Sequence, residues 1–331
     1  MTAEEPSRRF RIHLAGVLLD VDSDDDGLID ELRALLGAPQ CPPFASLPAL
    51  GARVRTSGPA MGELRLQVQD SRQLDPADLR LAASSADFPF DVLESAERRV
   101  VLARRGERTP ALIVDGAQCA FALVPGWRKM VALLLLQRLM RARSDAIFFH
   151  AGSACVRGAG AMVVGPKGAG KSTLVMGLAL RGHALLGDEN ACYLPGTGEL
   201  IPFLRPVGIK PGPRPAALDS ALARIGRSPE REGMMRLPVE QLGDVPLGRP
   251  AHLAAVVFLT GFSAAARMRP IAPGRVDVGR LQPVGSSLVN APAARRVFEM
   301  ARLLAGCRVY ELSVGPPDET AAVLEEALCA A

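Results

Sequence analysis

Apolar and polar positions alternate along residues 8–22, through Arg9-Phe10-Arg11-Ile12-His13-Leu14 and beyond. That two-residue period predicts one or two half-buried strands. The period lengthens to that of an amphipathic helix near Leu28–Leu36, and residues 38–61, rich in Pro, Ala and Gly, read as a loop or irregular insert. Short strands are expected near Leu64–Val68, Arg99–Leu102, Ala111–Val114 and Cys119–Leu123. The turn-forming stretches between the last three point to antiparallel hairpins. A Pro125-Gly126 break then precedes a strong helix over Trp127–Arg143. The pattern predicts an N-terminal α+β accessory domain over residues 1–126 and a second, α/β domain over 127–331.

The second domain alternates strand and helix. Strands are expected at Ala146–His150, Ala154–Arg157 and Ala161–Val164, then a glycine-rich loop, a helix over Lys171–Arg181 and a strand at Ala184–Leu186. Further on come an apolar strand at Leu253–Leu259, a helix at Ala293–Leu304, a strand at Arg308–Leu312 and a terminal helix from Pro317. No internal repeat is visible.

Composition narrows the class. Hydrophobic residues make up 48% and charged residues 22%, which supports a buried core and excludes whole-chain disorder. Aromatics are only 4%, with Trp127 the single tryptophan, so no stacking platform for single-stranded nucleic acid is expected. The formal charge of +4 is mild and evenly spread, so nucleic acid is not an expected partner. The six cysteines show no C-x-x-C spacing and read as reduced thiols. The polar N-terminus is not a signal peptide, and the apolar run Met130–Leu136 is far short of a membrane span. A cytoplasmic protein without a membrane partner is the expectation.

Only four lysines occur, and two of them, Lys167 and Lys171, fall in Gly165-Pro-Lys-Gly-Ala-Gly-Lys-Ser172. This segment fits G-x-x-x-x-G-K-[ST], expected by chance on the order of 0.003 times in a chain of this composition. Glycines allow the backbone to curl into an anion cradle at a helix N-terminus. Lys171 is placed to reach β/γ-phosphates and the Ser172 hydroxyl to ligate Mg²⁺. The next strand ends in Gly187-Asp188-Glu189-Asn190. Adjacent carboxylates there can hold a metal and accept a proton; the bland alternative is an acidic turn. His150 precedes Lys171 by 21 residues and is either a core histidine or one aimed at the γ-phosphate. His183, after Arg181-Gly182, reads as structural, beyond a left-handed helix cap. Asp22-Ser-Asp24-Asp-Asp26-Gly27 imitates the start of a calcium loop, but position twelve is Arg33, a cation where a carboxylate is required. An acidic N-cap and first helical turn is the simpler reading.

The stretch FFHAGSACVRGAGAMVVGPKGAGKSTLVMGLALRGHALLGDENACYL, residues 148–194, resembles the catalytic core of HPr kinase/phosphorylase and its HPr-kinase-related relatives. A histidine strand, glycine turn, P-loop, helix ending in Arg-Gly-His and acidic pair occur in the same order. The similarity extends more weakly over residues 127–331, through LRPVGIKPG, LQPVGSSLVN and YELSVGPPDE. It implies a P-loop kinase core of the HPr kinase/phosphoenolpyruvate carboxykinase type. It also implies ATP and Mg²⁺ as cofactors, held by Gly165, Lys167, Gly168, Ala169, Gly170, Lys171, Ser172 and Thr173. Asp188 would take the proton of the acceptor hydroxyl, Glu189 would stand with Ser172 at the metal, and His150 would tune the aspartate. Because HPr kinases form hexamers, homo-oligomerisation is a further expectation.

Two departures stand out. The acidic pair is Asp-Glu rather than Asp-Asp. The Glu-Ile-Arg-Gly signature of true HPr kinases is replaced by Pro202-Phe-Leu-Arg-Pro-Val-Gly-Ile-Lys210, which leaves the acceptor open. Arg205 and Lys210 are candidate substrate contacts there, against a bland reading as solvated loop charges. The resulting expectation is a serine kinase acting on a protein or precursor peptide. Two alternatives are a non-catalytic nucleotide sensor and a transport ATPase, the latter lacking an LSGGQ-type signature between 195 and 331.

Overall fold

A computed structural model describes residues 8–37, 49–56, 61–68, 90–95, 99–115, 118–281, 283–284 and 292–329. The chain divides into two compact units, Met1–Arg143 and Ser144–Ala331.

The first unit contains β1 (Arg8–Leu14), β2 (Val17–Ser23), α1 (Asp26–Leu36), β3 (Ala49–Arg55), β4 (Met61–Val68), β5 (Phe90–Ser95), β6 (Arg99–Arg104), β7 (Pro110–Asp115), β8 (Gln118–Ala122) and α2 (Trp127–Ala142). Its described strands form an eight-stranded sheet in the order β1-β2-β3-β4-β8-β7-β6-β5. Only β2 and β3 pair in parallel, with α1 as the crossover between them. The alternation of β2 puts Val17, Leu19 and Val21 in the core. The two hairpins expected from the turn sequences, β6–β7 and β7–β8, are antiparallel.

Strand β3 lies inside the stretch read from sequence as a loop, and corrects that reading. Its buried side chains are Leu50, Ala52 and Val54. Arg55 reaches Asp22 of β2 at 3.1 Å. A short strand whose parallel partner lies a helix away has no hairpin turn to announce it. The rest of that stretch, 38–48 and 57–60, is outside the described residues, as is most of LQPVGSSLVN.

The helix expected to open the second domain groups instead with the first unit. Trp127 stacks on Phe121 of β8 with centroids 5.1 Å apart. Arg128 grips Asp25, at the start of α1, with contacts of 2.7 and 2.8 Å. The acidic run is thus an N-cap: Asp25 Oδ1 accepts from the Leu28 amide at 2.7 Å. Arg33, at the twelfth calcium-loop position, pairs with Asp30 at 3.1 Å.

The second unit holds β9 (Ile147–Phe149), β10 (Ala151–Val156), β11 (Ala159–Val164), α3 (Lys171–Leu180), β12 (Ala184–Gly187), β13 (Ala191–Leu194), β14 (Glu199–Ile201), β15 (Val207–Ile209), α4 (Ala216–Arg224), β16 (Met235–Leu237), β17 (Ala251–Phe262), β18 (Arg267–Pro270), α5 (Ala293–Ala305), β19 (Arg308–Val314) and α6 (Pro317–Cys329). The main sheet runs β12-β10-β11-β17-β14-β13-β9, with β19 also on β17 and β18 on β19. Its centre, β11, β17 and β19, is parallel.

These central strands are apolar at successive positions because both faces are covered. Val163, Val257, Leu259 and Leu312 pack with side chains of α3, α4 and α6. Met162, Val164, Val256 and Phe258 pack with Met300, Leu303 and Leu304 of α5. Gly182 takes φ +91° after α3, and His183 lies 3.2 Å from Glu325 of α6, so that corner joins two helices. Among the described residues no helix is long and apolar enough to cross a membrane. The architecture is mixed α/β.

Candidate functional site

Strand β11 ends at Val164, and α3 begins at Lys171. Between them the chain turns twice through left-handed backbone, at Gly168 (φ +85°) and Gly170 (φ +96°). Nothing lies within 4 Å of the place a Cβ would take at Gly168. The loop therefore leaves open space beside its own backbone. Lys171 is buried, and its ammonium donates to the carbonyls of Gly165 at 2.8 Å and Pro166 at 3.1 Å. Burial pulls its pKa below the ordinary lysine value; Asp188 opposes that shift, and Lys210 adds to it. Lys167 and Lys210 are exposed, while Ser172 and Thr173 are half-buried on the first turn of α3.

Two strands away, β12 delivers the acidic pair. Gly187 has no room for a side chain, because a Cβ would stand 2.6 Å from the Asn190 carbonyl. The chain doubles back there, and Glu189 adopts φ +64°, a left-handed conformation uncommon outside glycine. This turn fixes both carboxylates. Asp188 is 3% exposed. Its oxygens accept from the Glu189 amide at 2.9 Å and the Gly208 amide at 3.1 Å, and the Ser172 hydroxyl also bonds to it. Burial is the dominant influence and raises its pKa above the usual aspartate value, against the pull of those donors.

Glu189 shows the opposite balance. Burial alone would raise its pKa, but Arg236, Arg205 and His150 outweigh it, and the carboxyl sits below its ordinary value. Arg236 Nη2 lies 3.0 Å from Glu189 Oε2. Arg205 is 6% exposed, and desolvation brings its pKa down to about 10. The reading of Arg205 as a solvated loop charge is therefore corrected: it is a buried cation beside the acidic pair. Lys210 does remain at the surface.

The structure thus gathers Lys171, Ser172, Asp188, Glu189, His150 and Arg205 around one end of the sheet. His150 joins β9 to β10 and bears on Glu189. Two contributors escaped the sequence reading. Gly208 and Arg236 face each other across the β15–β16 pair, so one supplies an amide to Asp188 and the other a guanidinium to Glu189. Arg236 stands 47 residues from Glu189, and no spacing signal links them; only the strand pairing does.

No family model matches the chain. It is 28% identical over 127 residues to an HPr kinase/phosphorylase from Aromatoleum aromaticum (strain DSM 19018 / LMG 30748 / EbN1), a match covering 38% of this chain and 41% of that protein. The chain thus spans under half the length of the curated relative it matches. A solved Hpr(Ser) kinase/phosphatase from Coxiella burnetii aligns with a TM-score of 0.27 and 13% identity, over 55% of this chain and 94% of that one. The sequence similarity is to a protein of the HPr kinase family that the chain resembles by sequence.

Proposed function

We propose that this chain is an ATP-dependent kinase that phosphorylates a hydroxyl, most simply a serine, of a protein or peptide. The observation that carries the reading is Asp188: a buried carboxyl, raised in pKa, bonded to the serine that follows the glycine-rich loop and its lysine. The fit to a triphosphate rests on the open space at Gly168 and on a buried ammonium satisfied by its own loop's carbonyls. The fit to Mg²⁺ rests on a hydroxyl and two carboxylates in one cluster, a set of oxygen donors that suits a hard cation.

In this reading Gly165, Lys167, Gly168, Ala169, Gly170, Lys171 and Thr173 would hold the phosphates, and Ser172 with Glu189 would hold the metal. When bound, Mg·ATP supplies the γ-phosphoryl group and neutralises charge on the β- and γ-oxygens. Asp188 in its carboxylate form takes the proton of the attacking hydroxyl as the new O–P bond forms and the β–γ bridge bond breaks. A raised pKa suits that task, because a base works best when its pKa approaches the working pH. Arg205 and Arg236 keep Glu189 ionised beside it, so the two neighbouring acids hold different protonation tendencies. Arg205 and Lys210 remain the proposed acceptor-side cations. The 1–126 segment is proposed as an accessory module, and a protein acceptor and self-assembly are carried by the resemblance.

The test is incubation of the full chain with γ-labelled ATP, Mg²⁺ and products of neighbouring genes, with mass spectrometry to locate added phosphate. The reading predicts phosphoserine on one of them. Nucleotide binding without transfer to any acceptor, unchanged by D188N, would instead support a sensor.

A further inference from the structure

Strand β17 runs beside the loop strand β11 and ends at Phe262, whose side chain is 72% exposed. A lone exposed apolar side chain is ordinary; three features set this one apart. First, the ring reaches the loop: a Cβ on Gly170 would lie 4.0 Å from Phe262 Cε1 and 3.7 Å from Val314 Cγ1. Second, the backbone is bent to aim it. The pairing of β17 with β19 slips between Leu259 and Gly261, and Gly261 takes φ +137°. Such a bulge re-aims the side chain that follows it. Third, the aimed segment is anchored. Ser263 donates to the Val314 carbonyl at 2.8 Å. The Ala266 amide bonds to Glu319 at 3.0 Å, and Gly315 packs so closely on Ala266 that a Cβ would meet its nitrogen at 2.3 Å.

The position relative to the acids matters as much. In the sheet order β12-β10-β11-β17, the carboxylates stand on one side of the loop strand and Phe262 on the other. A nucleotide threaded through the loop with its terminal phosphate toward Asp188 carries its base to the opposite side.

We propose that Phe262, backed by Val314, is the platform on which the nucleobase stacks. This rests on the phosphate-binding reading of the Gly165–Ser172 loop and adds where the other end of the ligand lies. An aromatic face accepts any base, because every base has a π-face. The platform therefore contributes affinity for nucleotides over bare polyphosphate and does not choose adenine over guanine.

The experiment is calorimetric binding of Mg·ATP and of Mg·tripolyphosphate to the full chain, with no turnover involved. F262A is expected to weaken ATP by about five- to hundredfold while leaving tripolyphosphate within twofold of the unsubstituted chain. F262W is expected to restore ATP binding, and F262L to restore little. The ring removed in F262A is exposed, and a thermal melt equal to the parent's checks that the variant folds. An ATP affinity unchanged in F262A, or both ligands weakened alike, overturns the platform. Tight tripolyphosphate binding by the parent in that case leaves the loop reading intact. A parent chain that binds neither ligand overturns the loop reading and the platform together.

Discussion

The arginine-bonded aspartates of the first unit and Asp188 of the second end in opposite electrostatic states. In the first unit Asp20 is bonded by Arg9 and Arg11, and Asp25 by Arg128 and the Leu28 amide. Both carboxyls lie below the ordinary aspartate range, chiefly through their arginine hydrogen bonds. In the second unit Asp188 receives amide and hydroxyl donors but is buried, and burial wins. Five aspartates between residues 20 and 26 look chemically richer than a single Asp-Glu pair. The comparison teaches that density of charge marks an arginine-tied structural edge, whereas the proposed chemistry falls to a carboxyl removed from water and held by amide and hydroxyl donors.

The contrast is sharpest in D188N against D25N. D188N is expected to cut phosphoryl transfer by at least about a hundredfold while retaining nucleotide, measured by labelled-phosphate transfer and by calorimetry. D25N is expected to leave transfer unchanged; an equal loss there would erase the distinction. Next comes R205M, which removes the buried cation beside Glu189. A fall in stability of about 3 kcal/mol in urea denaturation is expected, together with a higher Glu189 pKa read by carbon NMR. Stability equal to the parent would mean that the buried arginine is not compensated by Glu189.

D25A should cost about 1 kcal/mol by loss of the helix cap, read from thermal unfolding. Asp25 has a depressed folded pKa, so its contribution is present above the unfolded aspartate pKa and fades as pH falls through the folded one. At strong acid the variant and parent should therefore converge. The smallest effect has the reverse sign. The folded pKa of Asp188 is raised, so its contribution is fully present below the unfolded value and is lost as pH rises through the folded one. D188N is expected to be slightly more stable than the parent at pH 8, with the difference shrinking as pH falls toward the ordinary aspartate value. A less stable D188N at pH 8 would contradict the burial penalty.

Much of this was legible in the chain. The strand–loop–helix around Lys171 and the strand delivering Asp188 are local, and local periodicity with glycine punctuation finds such elements. The N-cap role of the acidic run was legible too, because a cap is decided within one turn. What escaped were pairings between distant segments. Strand β3 joins β2 across a helix, and β16 brings Arg236 to Glu189 through its pairing with β15. The burial of Arg205, which excludes the solvated alternative, is set by the surrounding fold, and no short window of sequence reports it. The helix Trp127–Ala142 was assigned by its neighbouring proline-glycine break, whereas stacking on Phe121 and the Arg128–Asp25 pair group it with the first unit.

The parallel centre of the second unit has a consequence for synthesis. Strand β11 leaves the ribosome with β10 as its immediate partner, and the strand that closes its other edge begins only at Ala251. Until then an apolar ribbon with open amides and carbonyls is on offer to any passing chain. Translation that stalls in this interval leaves that edge unpaired, and a chaperone that shields nascent strands would act there.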